Sequence, residues 1–179
     1  HLQRHGYQTA CIGKWHLGES QPLRPTSQGF DESLGLRAGG GRFTASGDPL
    51  TVDAKLPWDP IDRFLWANLP YAVYWGDDQR FRPTGHLTDY FTDNALAAIE
   101  ANKNRPFFLY LAFGAMHAPH QAPQRYLDKY RGRFDAGWDI EREAWFERQK
   151  SMGIIPPGTL LAPRNPGVKP WSELSHNEQ

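Results

Sequence analysis

The sequence is short of several things, and each shortage removes a class of protein. Its 179 residues hold one cysteine, Cys11, so no disulfide can form within the chain. No apolar run approaches the roughly 20 residues that a membrane-crossing helix needs. Neither sign of charge is in surplus: 20 Lys and Arg face 20 Asp and Glu, with a pI near 7.2. That balance argues against a nucleic-acid partner and requires any anion site to be local. Hydrophobic residues make up 39%, below the roughly 45–50% of an ordinary globular domain.

What is plentiful is Gly and Pro, 17 and 15 of them, so loops should be long and numerous. Seven Trp and ten Phe argue that some of these loops are packed. Residues 36–86 show no steady hydrophobic period, which marks a lid or a binding insertion. Trp58, Phe64, Trp66, Tyr71, Tyr74 and Trp75 favour a folded lid, with a short strand over 71–75. Five prolines between 154 and 174 predict an extended surface connection.

Elsewhere the periodicity is readable. Residues 9–12 form a short strand candidate, followed by a loop over 18–35 whose Phe30 anchors a Gly29-Phe30-Asp31 turn. Leu87, Phe91, Ala95, Ala98 and Ile99 trace one apolar stripe and predict a helix over 87–102, capped by Thr84 or Thr88. The continuous apolar run 107–113 predicts a strand covered on both faces. Strand, helix and strand in this order give an α/β fold with a mostly parallel central sheet flanked by helices. A short helix over 124–130 and a longer one over 138–152 complete the outline, the second with Trp138, Trp145 and Met152 on one packing face.

Residues 6–18 carry the chemistry: Gly-Tyr-Gln-Thr-Ala-Cys-Ile-Gly-Lys-Trp-His-Leu-Gly. In an extended backbone Lys14 and His16, two apart, point to one face while Trp15 points to the other. A cation beside a titratable imidazole suits an anionic oxygen cluster undergoing proton transfer. His117 follows the apolar strand, at the edge where open α/β sheets bind ligands. It can meet Lys14 and His16 if the two strands are parallel neighbours. His120 lies across Pro119 and suits a packed loop as well as a site. The two histidines make a poor zinc reading, because no further ligand set accompanies them.

Three look-alikes fail. Gly13-Lys14 is no phosphate-binding loop, since Trp15 follows where Ser or Thr is required. Asp77-Asp78 reads as a solvated pair in the 36–86 insertion. Ser20-Gln21-Pro22-Leu23-Arg24 fits a (Cys/Ser)-x-Pro-x-Arg pattern but stands in a Pro-rich loop after the Lys-Trp-His stretch, and Cys11 lacks the required proline two residues on.

Gly6, Tyr7, Thr9, Gly13, Lys14, Trp15 and His16 together resemble the second signature of the sulfatase family, in the alkaline-phosphatase-like superfamily. Gly29-Phe30-Asp31 and the stretch from Pro106 through His117 are also similar to sulfatase segments. The resemblance runs nearly end to end but covers only an internal portion of the catalytic domain. Both ends agree with that: residues 2–5 read as the last turn of a helix ending at Gly6, and Ser175-His176-Asn177-Glu178 as a capping box with no helix after it. The expectation is thus an internal fragment, 1–179, of one sulfatase catalytic domain.

The resemblance implies a sulfuric ester hydrolase acting on an aryl or carbohydrate sulfate monoester. It implies a formylglycine nucleophile and a Ca²⁺ ion, both supplied from outside this chain, so the isolated piece should be inactive and should bind no Ca²⁺ tightly. It makes Lys14 a sulfate-binding residue, His16 the base that releases sulfate from the covalent intermediate, and His117 a sulfate contact that protonates the leaving oxygen. The compartment would be periplasmic, secreted or lysosomal. Two alternatives stand beside this: a phosphonate or phosphate monoester hydrolase of the same superfamily, and a non-catalytic module binding sulfated glycans.

Overall fold

The computed structural model describes residues 1–179 as two compact units, 1–124 and 125–179. In chain order the strands and helices are β1 (Gln8–Lys14), β2 (Glu32–Leu36), β3 (Thr51–Ala54), α1 (Pro60–Asn68), β4 (Val73–Trp75), β5 (Gln79–Phe81), α2 (Leu87–Asn102), β6 (Phe107–Ala112), β7 (His120–Pro123), α3 (Gln124–Tyr130) and α4 (Gly137–Ser151).

The first unit is built on a five-stranded sheet of order β5-β4-β2-β1-β6. Its β2-β1-β6 half is parallel, and β4 and β5 run antiparallel. The sheet is therefore mixed, with three of its five strands parallel as the sequence leads one to expect. Helix α2 packs on β1 and β6. Ile12, Leu34, Leu36, Phe43, Val73, Leu87, Phe91 and Ala95 form the core, with Phe91 and Val73 fully buried. A separate ribbon pairs β3 with β7.

Helix α2 has the span that its apolar stripe predicts, but its cap is neither Thr84 nor Thr88. The N-cap is His86, whose Nδ1 accepts from the Thr88 N–H at 3.3 Å. The ring also stacks on Phe43, centroids 5.5 Å apart, which fixes its orientation. Residues 2–5 form a 3₁₀ turn closed by left-handed Gly6.

Three expectations change. The loop expected over 18–35 ends early, because residues 32–36 pair with β1 as β2. Residues 36–86 hold more regular structure than the one short strand expected over 71–75: that strand is β4, which with β5 extends the central sheet, and α1 and β3 lie in the same stretch. Strand β6 is not covered on both faces. It pairs only with β1, and Phe107, Phe108, Tyr110 and Leu111 stay about 40% exposed.

The Gly29-Phe30-Asp31 turn anchors β1 in two ways. Phe30 stands edge-on to Trp15, centroids 5.8 Å apart, and lies near Phe108 and Tyr110. Asp31 Oδ2 accepts from the Thr9 backbone N–H at 2.8 Å and from its hydroxyl at 3.0 Å. These bonds, the backbone one first, hold the Asp31 carboxyl below the usual carboxylate range.

In the second unit Trp138 meets Trp171 edge to face, centroids 4.9 Å apart. Trp145 and Met152, expected on the same packing face, are exposed. Residues 154–170 carry no regular element, in keeping with their prolines. The capping-box pair closes locally, with the Ser175 N–H and hydroxyl both donating to the Glu178 carboxylate.

Candidate active site

The site grows from the carboxyl ends of three parallel strands. Gly13 of β1 stands beside Gly35 of β2 and Ala112 of β6, so Lys14, Leu36 and Ala112 end at nearly one level. Glycine is required at position 13, where φ is +118° and a Cβ would sit 1.9 Å from the Ala112 carbonyl oxygen. Beyond this edge run the loops that carry His16, Gly39-Gly40 and His117.

Lys14 is half-buried and takes part in no ion pair, so its charge is not neutralised within the chain. The strict alternation that would put His16 on the same face stops there. Backbone pairing continues, Trp15 N–H to Leu36 O at 2.8 Å and His16 N–H to Arg37 O at 3.1 Å, but His16 turns left-handed with φ 56°. It is the one non-glycine residue with positive φ, a conformation that histidine adopts more readily than most. Trp15 goes the other way, buried, its indole N–H donating to Leu23 O at 2.8 Å.

His16 and His117 converge on one short loop. A Cβ on Gly39 would stand 2.6 Å from His16 Nε2, and a Cβ on Gly40 would stand 3.2 Å from His117 Nδ1. Consecutive Cα atoms are ~3.8 Å apart, so these ring nitrogens lie within about 13 Å of each other. Two imidazoles and the Lys14 end of β1 thus share one sheet edge. His117 Nδ1 lies 2.5 Å from the Ala118 carbonyl oxygen, which requires a proton on Nδ1 and leaves Nε2 free.

Gln121 fastens the two loops. Its buried Oε1 accepts from the Phe43 and Thr44 N–H groups at 2.7 and 3.2 Å, while its Nε2 donates to Thr44 Oγ1 at 3.0 Å and Asp53 Oδ1 at 2.7 Å. Neither Gln121 nor the Gly39-Gly40 pair stands out by residue type. The run of three glycines before Arg42 was the available signal for the pair. His120 is separate, opening β7 opposite Ala54 in the small ribbon.

The look-alikes have structural work. Arg24 bonds Asp78 at 3.2 Å and the Asp77 carbonyl at 3.0 Å, while Asp77 accepts from Gln21 and Thr26. The Ser20–Arg24 stretch is therefore a clasp on the turn between β4 and β5. The Thr26 and Gln21 bonds hold the Asp77 carboxyl below its ordinary value. Cys11 is buried in mid-strand, and that burial pushes its thiol up to about 12.

The sulfatase family model matches residues 1–169. The chain belongs to the sulfatase family. It is 34% identical over 180 residues to an uncharacterized sulfatase of Schizosaccharomyces pombe, covering 99% of this chain and 31% of that protein. It is 29% identical over 181 residues to the arylsulfatase of Klebsiella aerogenes, covering 97% and 35%. The N-acetylgalactosamine-6-sulfatase of Mus musculus is 33% identical over 153 residues, covering 78% and 26%. The chain thus spans about a third of the length of the first two relatives. Among solved structures, Ps i-CgsB in complex with k-i-k-neocarrahexaose superposes with a TM-score of 0.55 at 27% identity, over 72% of this chain and 28% of that one. The fold is that of the sulfatases, an α/β alkaline-phosphatase-like sheet, matched over part of its length.

Sulfatases as a family depend on a metal and a formylglycine, and neither fits the residues of this segment. Nowhere do three or more His, Cys, Asp or Glu side chains converge to hold a metal ion. Cys11 is enclosed in β1, and Ser20 belongs to the clasp.

Proposed function

We propose that this chain is an interior portion of a sulfatase catalytic domain and forms one wall of its active site. The reaction is hydrolysis of a sulfate monoester of an aryl or carbohydrate alcohol, releasing the alcohol and inorganic sulfate. The calcium ligands and the formylglycine lie in the domain outside these residues. The observation that carries the reading is the pair of imidazoles set against consecutive glycines, beside an unpaired lysine, at the carboxyl ends of three parallel strands. The names of the relatives, an arylsulfatase and N-acetylgalactosamine-6-sulfatases, support the same chemistry.

The residues divide the work by charge and proton. Lys14 Nζ meets a sulfate oxygen with a positive charge that no carboxylate of the chain quenches. His117, its Nδ1–H committed to Ala118 O, contacts the sulfate and, in its imidazolium form, delivers the second ring proton from Nε2 to the leaving oxygen, ending as the neutral Nδ1–H tautomer. His16 acts as the base that assists sulfate release, its ring held against Gly39. Bringing fixed donors to developing negative charge is the largest part of such catalysis.

The test uses the complete protein that carries this chain, with 4-nitrophenyl sulfate and 4-nitrophenyl phosphate side by side. Sulfate turnover should exceed phosphate turnover. Lys14→Ala, His16→Ala and His117→Ala should each lower kcat/KM by about 10²–10³-fold, the worth of one positioned donor or proton carrier. Undiminished turnover in any two of these variants refutes the assignment.

A further inference from the structure

A cleft of about 720 Å³ opens beside the candidate site, lined by Arg42, Arg80 and Arg82 and by no acidic residue. It lies wholly within the 36–86 insertion. We propose that it is a second anion subsite, which takes a sulfate or carboxylate carried by the same glycan at a position remote from the ester being cleaved. The proposal rests on the sulfatase reading and names its substrate class: an oligosaccharide with at least two anionic groups.

Four observations carry it. The first is continuity with the catalytic edge. Leu69 lines the cleft, and its Cδ1 lies 3.3 Å from the same Gly40 Cβ position that stands 3.2 Å from His117 Nδ1. One glycine therefore separates the His117 ring from the cleft wall. The second is strand geometry. Arg80 and Arg82 are two apart on and just beyond β5, so alternation turns both outward. Phe81 between them packs against the core and meets Tyr90 edge-on, centroids 6.4 Å apart.

The third is availability. Arg80 and Arg82 are exposed and take part in no ion pair, whereas Arg24 on the same unit is tied to Asp78. Arg42 is held in place at the far wall: it donates to Ser46 Oγ at 2.7 Å and to the Trp66 carbonyl, with its guanidinium 5.6 Å from the Trp66 ring centroid. Its Nε is buried and bonds to nothing in the chain. The fourth is size and lining. Tyr71 and Asn68 add polar groups to the cleft, and its volume falls within the roughly 300–1,000 Å³ that ligand sites span. Planar guanidinium forks suit the paired oxygens of a sulfate or carboxylate.

The test measures a ratio, so that damage common to all substrates cancels. The complete protein is given a disaccharide bearing one sulfate ester, the same disaccharide with a second sulfate on the other ring, and a third form with a uronate there. The parent should prefer a dianionic substrate, and the two dianionic forms tell sulfate from carboxylate. In Arg80→Ala/Arg82→Ala the preference in kcat/KM should fall about tenfold or more, the worth of a charge-assisted bond. Arg80→Lys/Arg82→Lys should restore part of it, and 0.5 M salt should erase it. An unchanged ratio in the Ala variant overturns the proposal. Calorimetric binding of the same three sugars separates the two claims. Preferential binding of a dianionic sugar without turnover supports the subsite and refutes the sulfatase reading. Equal binding of all three refutes the subsite.

Discussion

Gly39→Ala is the sharpest perturbation that the geometry offers, because it moves a ring without removing it. The new Cβ would lie 2.6 Å from His16 Nε2 and 2.7 Å from Cε1. Heavy atoms settle near 3.5 Å, so the imidazole must retreat by about 0.9 Å. His16 is exposed and has room to do so. Misplacing a reacting group by ~1 Å costs on the order of 10²-fold in rate, or about 2.7 kcal/mol of transition-state stabilisation. Folding should hardly notice, since φ at position 39 lies outside the left-handed region. A tolerated Gly→Ala change stabilises by about 0.4–1 kcal/mol through the unfolded chain. Gly40→Ala is milder, at 3.2 Å from His117 Nδ1 and 3.3 Å from Leu69 Cδ1. A shift of about 0.3 Å suffices there, and the loss should stay under about tenfold. Gly158→Ala, with nothing within 4 Å, is the control. The assay is steady-state turnover of 4-nitrophenyl sulfate by the complete protein, with a thermal melt of each variant. Full activity in Gly39→Ala, or a larger loss in Gly40→Ala at equal stability, would refute the argument.

Other consequences are open to simpler measurements. Gln121→Leu strands the Phe43 and Thr44 N–H groups and should cost about 3–4 kcal/mol in urea unfolding, far beyond an ordinary surface change. The Asp31 carboxyl is held below its ordinary value, so its contribution is complete above that value and fades as pH falls through the lowered one. The stability gap between the parent and Asp31→Asn should therefore be constant near neutrality and close in acid. Cys11, with a thiol near 12, carries about 10⁻⁴ of its sulfur as thiolate at pH 8. Iodoacetamide should label it at the unfolding rate, and rapid labelling of the native protein would contradict its burial.

The sequence was most legible where period and chemistry coincide. The stripe from Leu87 to Ile99 gives α2 its boundaries, and the flanking glycines of the Lys-Trp-His stretch announce where β1 ends. Strand β2 was hidden because Glu32-Ser-Leu-Gly-Leu is short and interrupted by Gly35, which serves the close approach to β1 and leaves no side-chain signal. The apolar run of β6 shows that composition reports capacity for burial, not the presence of a covering partner. Position mattered more than type at the candidate site: Lys14, His16 and His117 were readable as chemical groups. The roles of Gly39, Gly40 and Gln121 come from neighbours tens of residues away. His86 caps α2 through a ring whose orientation depends on Phe43, and no local pattern encodes that.

The outer edge of β6 has a consequence for handling the molecule. Phe107 to Ala112 contains six uncharged residues without proline or glycine, and the side facing away from β1 offers unpaired backbone donors and acceptors. Such a strip is a template for any passing strand of like composition, including its own copy on another chain. Solutions of this segment should therefore be governed by strand-to-strand self-association well before the fold itself becomes unstable. A single Lys in place of Tyr110 would discourage it.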